Sequence, residues 1–185
     1  MSVFNMQRAS LSVLVLGALG ALPGRAAVIE TSDSGFTVRE SVHVSAGANA
    51  VYAQLLHPER WWSAEHTFSR NAANLHLDAR AGGCFCERLP DAGSVLHLTV
   101  VAVRPGHGIV LRGALGPFQT QGVDGALSLG VEKQGAGSDV TFTYILGGHL
   151  ALPGGFKDWS GRADNMLAAQ LARLARLVQT GSPGS

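Results

Sequence analysis

The stretch 156–178, FKDWSGRADNMLAAQLARLARLV, decides the fold. Trp159, Ala163, Met166, Leu167, Leu171, Leu174 and Val178 recur at steps of three and four, the period that gathers side chains on one side of an α-helix. Arg162, Arg173, Arg176 and Gln179 fall mostly on other sides, as a solvated flank requires. A helix this long, apolar along one whole face, needs a broad partner surface.

The segments before it supply that surface. Residues 36–45 alternate, with Phe36, Val38, Val42 and Val44 on one side and Thr37, Arg39, Ser41 and His43 on the other, the pattern of a half-buried strand. Residues 50–56 make a short helix, and 57–62 a second one, with Pro58 in its first turn. Six further strands are expected at 75–79, 84–89, 94–103, 108–115, 125–132 and 139–146, separated by turns rich in glycine and proline. Short breaks between strands favour an antiparallel meander. The predicted class is α+β: a curved antiparallel sheet wrapped around a long C-terminal helix, with two short helices after the first strand.

Residues 1–26 read as a secretory signal peptide. Arg8 is the positive start, 9–22 is an uncharged apolar run, and Gly24-Arg25-Ala26 is a small-residue cleavage site. The run is shorter than the ~20 residues of a membrane span. A periplasmic or secreted location is expected, with no stable membrane span once the leader is removed. Residues 28–35 read as a mobile lead-in, 36–178 as one domain and 179–185 as a disordered tail. The formal net charge of +1 provides no field for nucleic acid.

The order of elements, together with Ala48, Val51 and Tyr52 of the early helix, HPERWW at 57–62, LDARAGG at 77–83 and the late amphipathic helix, resembles the START/polyketide-cyclase-like (SRPBCC) superfamily and its helix-grip fold. Within it the chain is similar to the branch of activators of the ninety-kilodalton heat-shock protein ATPase. The resemblance covers about residues 36–178. It implies a pocket for a hydrophobic ligand between helix and sheet.

The candidate ligand-binding residues are Trp61, Trp62, Cys84, Cys86, His97, Tyr144, Trp159 and Met166. If the turn at 90–93 closes its hairpin symmetrically, Cys86 faces His97, and Cys84, Cys86 and His97 share one face with Glu87 opposite. Two thiols and an imidazole are zinc-type ligands, but Cys-x-Cys is tighter than the usual zinc spacing. Two small buried thiols and a hydrogen-bonded histidine is the preferred reading, and a bridge between the cysteines would need a kinked strand. Trp61 and Trp62 are adjacent, so either one packs in the core and the other covers the pocket mouth, or both serve as packing and end-plug. Tyr144 is expected on the inner face, its hydroxyl orienting a ligand or binding backbone. The loop 116–122 reads as an ordinary strand connection, with an entrance flap as the alternative. There is no phosphate loop, nucleophile elbow or HExxH motif, and no cofactor or metal is assigned.

The expected function is an exported binding protein for a small hydrophobic or amphipathic molecule. One alternative is a cyclase, dehydratase or hydrolase using the same cavity, with His97, Cys86 and Tyr144 as polar groups. Another is an interaction module for a second exported protein. The sequence leaves the oligomeric state open.

Overall fold

The computed structural model describes residues 25–184. In chain order the strands are β1 (Arg25–Ser32), β2 (Gly35–Val44), β3 (Leu75–Leu77), β4 (Cys84–Arg88), β5 (Ser94–Arg104), β6 (Gly108–Arg112), β7 (Gly122–Gln134) and β8 (Gly137–His149). Helix α1 (Ala48–Leu55) follows β2, and helix α2 (Gly155–Thr180) ends the fold. Four 3-10 turns lie at Pro58–Arg60, Ala64–His66, Ala72–Asn74 and Gly116–Thr120. The strands form one antiparallel sheet in the order β1-β2-β8-β7-β6-β5-β4-β3. The class is α+β, as the strand pattern and terminal helix predict.

Helix α2 buries Ala163, Leu167, Leu171 and Leu174 of the face that its periodicity marks, together with Phe156 and Leu177, while Trp159, Met166 and Val178 of that face are half-buried. Each large aliphatic side chain taken out of water contributes roughly 1.5–3 kcal/mol. The helix packs chiefly on β2 and β1, with α1 beside it. Its ends are set by two glycines in left-handed conformation. Gly154 has φ 84° and would place a Cβ against Asp158, and Gly181 has φ 80° and donates its N–H to the Leu177 carbonyl.

Several expectations need correction. The lead-in at 28–35 is instead the edge strand β1 and its turn, with Ser32 paired to Gly35. Val28 and Ile29 are exposed, and a register shift falls between Val28 and Glu30. Backbone pairing holds this strand, so no hydrophobic alternation announces it. The second short helix is the 3-10 turn Pro58–Arg60. Residues 179 and 180, expected in a loose tail, close α2, and the Arg173 guanidinium donates to the Gly184 carbonyl at 2.9 Å. The leader lies outside the described residues up to position 24, and Arg25 onward belongs to β1.

The hairpin β4–β5 carries the correction that matters for function. Cys84 pairs with Thr99 and Phe85 with Leu98, but Cys86 pairs with Leu96. His97 is therefore the extra residue of a β-bulge, and His97 and Leu98 are both buried. The shift turns His97 to the same side as Phe85 and Glu87. Cys84 and Cys86 fall on the other side, half-buried, and are joined in a disulfide with their Cα atoms 5.4 Å apart. The expected face of Cys84, Cys86 and His97 does not exist, because the hairpin is not symmetric.

Candidate functional site

A cavity of about 580 Å³ opens between the N-terminal half of α2 and the β4–β5 end of the sheet. The helix is seated on β1 and β2 at the opposite end, so the sheet curves away from it here. Trp159, Ala163 and Met166 line one wall, Phe85 and His97 the floor, and Leu115 and Phe118 the far side. Trp62 and the segment 65–68 close the remaining side. The volume suits a small organic molecule, and the lining is largely apolar with few polar groups.

The aromatic walls interlock. Trp62 meets Phe85 edge-on at 5.3 Å between ring centres, and Phe118 meets Trp159 at 5.5 Å. Such contacts add ~0.5–1.5 kcal/mol each beyond area burial. At the rim, Phe68 is 54% exposed, and the Arg162 guanidinium lies 4.7 Å from the centre of the Trp159 ring. The loop 116–122 is more than a connection: its 3-10 turn buries Phe118 and builds one wall.

Beneath the floor, Glu87 is fully buried. Its carboxylate accepts the backbone N–H groups of Phe68 and Ser69, and the Nε2–H of His97 at 2.9 Å. Burial works against its charged form. The hydrogen bonds from Ser69, Phe68 and His97 outweigh it and hold the carboxyl below its ordinary value. For His97 burial wins over the hydrogen bond and charge of Glu87 and lowers its pKa, which favours the neutral imidazole. Phe85 packs on the imidazole at 5.0 Å and Phe68 at 5.9 Å.

A second polar relay stands at the mouth. Gln170 of α2 is fully buried. Its Oε1 accepts from the Ser63 N–H at 2.7 Å, and its Nε2 donates to His66 Nδ1 at 3.1 Å. The same segment is held by Trp62, whose indole donates to the His66 carbonyl at 3.1 Å. One helix side chain thus fixes the position of the 63–66 wall.

Four of the expected site residues, Trp62, His97, Trp159 and Met166, line the cavity. Trp61 instead packs in the core against Phe142 and donates to the Gln54 carbonyl. Tyr144 lies behind the wall, fully buried, and its hydroxyl accepts the Leu115 N–H at 3.1 Å, so it cannot reach a ligand. Burial pushes its phenol up. Cys84 and Cys86 lie on the outer side of β4, turned away by the bulge. His97, Cys86 and Tyr144 therefore do not converge on one void, and the enzyme alternative loses the arrangement it required. Among the described residues no group of three or more His, Cys, Asp or Glu is placed to hold a metal ion.

Glu87, Phe85, Phe118 and Gln170 were not among the expected site residues. Phe118 and Gln170 had a signal: an aromatic at the middle of a loop, and an amide on a helix face that is otherwise apolar. Glu87 had none, because its facing depends on the bulge. Glu40 also went unmarked, although the period of two in β2 puts it on the apolar face.

No protein-family model matches the sequence, and no curated protein matches it. Solved structures do share the fold. CalU16 from Micromonospora echinospora superposes with a TM-score of 0.60 at 14% identity, covering 88% of each chain. An uncharacterized protein from Rhizobium leguminosarum gives 0.56 at 21% identity, over 77% of this chain and 93% of that one. The Aha1 dimer from Colwellia psychrerythraea gives 0.53 at 14% identity, over 78% of this chain and 97% of that one. The strand order, the terminal helix laid across the sheet and these likenesses agree: this chain has the helix-grip fold, shared with these solved structures.

Proposed function

We propose that the protein binds a small hydrophobic or amphipathic molecule in the cavity between α2 and the β4–β5 end of the sheet. The observation that carries this reading is a cavity of about 580 Å³ walled by Trp62, Phe85, Phe118, Trp159 and Met166. Burial of apolar ligand surface at ~25 cal/mol per Å² drives the association. The signal-peptide reading of residues 1–26 makes this an exported carrier or receptor.

The test is a fluorescent dye. Anilinonaphthalene sulfonate should brighten on binding and should quench Trp62 and Trp159. Replacing Ala163 by Leu and Met166 by Phe fills the space from the helix side and should abolish the signal without lowering the unfolding midpoint much. A dye signal unchanged in that double variant would place the dye elsewhere and remove the support for the reading.

A further inference from the structure

The two cavity histidines are both held in the Nε2–H tautomer but leave different nitrogens free, and that sets what polar groups a ligand must carry. The argument rests on the reading of the cavity as a ligand site.

The tautomer of His66 follows from a backbone amide. The Ser63 N–H can only donate, so the Gln170 atom at 2.7 Å is the amide oxygen. The other end of Gln170 is then the NH₂ group, which donates to His66 Nδ1 at 3.1 Å. A neutral His66 accepting at Nδ1 carries its proton on Nε2. No protein partner for that N–H is present among the described residues.

His97 carries its proton on the same nitrogen but gives it to the protein. The Glu87 carboxylate accepts from two backbone N–H groups, which favour its ionised, acceptor-only form, and the imidazole gives it the Nε2 proton at 2.9 Å. Nδ1 of neutral His97 is a bare acceptor. It has no hydrogen bond to the protein among the described residues, and it is not among the buried polar atoms left without a partner, so it opens onto space. Both residues line the cavity, His97 buried at its floor and His66 exposed at its mouth.

We infer that the ligand is a neutral aromatic compound carrying a hydroxyl that donates to His97 Nδ1 and a carbonyl that accepts from His66 Nε2–H. Glu87 and Gln170 are positioning residues that act through the histidines. The rest of the lining adds few competing polar groups. Thr67 already donates to the Ala64 carbonyl and Gln119 to the Leu96 carbonyl, while Glu65 and Arg162 stand at the exposed rim.

The experiment uses the full chain and two pairs of matched probes. 2-Naphthol is compared with 2-methoxynaphthalene, which lacks the donor, and 2-acetylnaphthalene with 2-isopropylnaphthalene, which lacks the acceptor. One neutral hydrogen bond to a poised partner corresponds to about a five- to tenfold preference. The naphthol preference should disappear in His97→Phe, and the acetyl preference in His66→Phe. Nitrogen NMR of the free protein, labelled at histidine, should show both His66 and His97 protonated at Nε2 and bare at Nδ1. That readout is independent of any probe and of how well the variants fold. Binding of all four probes with no preference within either pair, or a proton on Nδ1 of either histidine, would overturn the inference and leave the cavity reading intact. Failure of all four probes to bind would remove the cavity reading and this inference with it.

Discussion

Glu40 offers the sharpest test of how α2 is seated. It points from β2 into the core, is 3% exposed, and lies against Asp164 of α2. Burial, the hydrogen bond with Asp164 and the charge of Asp164 raise its pKa from 4.5 to about 8. Glu40 Oε1 and Asp164 Oδ1 are both buried with no donor from the rest of the protein. Between those two pKa values the folded protein holds a proton that the unfolded chain releases. Stability from this group is therefore complete below about pH 4.5, falls as pH rises, and is lost once pH passes about 8. The full shift corresponds to roughly 5 kcal/mol, and water at half-buried Asp164 screens it, so a loss of about 2 kcal/mol or more is expected. Glu40→Gln keeps a neutral donor for Asp164 at every pH. Urea unfolding of both proteins at pH 5, 7 and 9 isolates the Glu40–Asp164 pair, because titrations remote from it cancel in the difference. Wild type should lose its standing relative to Glu40→Gln by about 2 kcal/mol or more between pH 5 and pH 9. Parallel pH profiles for the two proteins would refute the reasoning.

Two further substitutions probe the wall of the cavity. Gln170→Leu strands the Ser63 N–H and frees His66, and should cost about 1–3 kcal/mol in urea unfolding together with weaker dye binding. A loss of stability with unchanged dye affinity would mean that the 63–66 wall does not shape the site. Tyr144→Phe leaves the buried Leu115 N–H unpaired and should cost a similar ~1–3 kcal/mol, while dye affinity holds within about twofold because the hydroxyl lies behind the wall. A large loss of affinity with full stability would put Tyr144 back in contact with ligand.

The architecture was legible because it rests on long periodic signals. The apolar rhythm of α2 and the glycine-rich breaks between strands are written residue by residue, and both appear where expected. What escaped the sequence was local geometry. A single bulge at His97 reversed the facing of Cys84 and Cys86 and brought Glu87 under His97, and nothing in the hairpin residues announces a one-residue shift. Strand β1 escaped because its exposed side chains carry no alternation, only backbone pairing. Tyr144 was assigned correctly to the inner face, yet its hydroxyl reaches a loop amide rather than the cavity. Gln170 and Glu40 could have been caught by asking why a polar residue stands on an apolar face.

The central claim is that ligand occupies the space between α2 and the β4–β5 end of the sheet. Crystals soaked with 6-bromo-2-naphthol test it most directly, because the bromine is located by its anomalous scattering. The account predicts one strong bromine peak among Trp62, Phe118 and Trp159, with the hydroxyl on His97. A bromine peak confined to the outer face of the sheet, or an empty cavity at saturating probe, would contradict it.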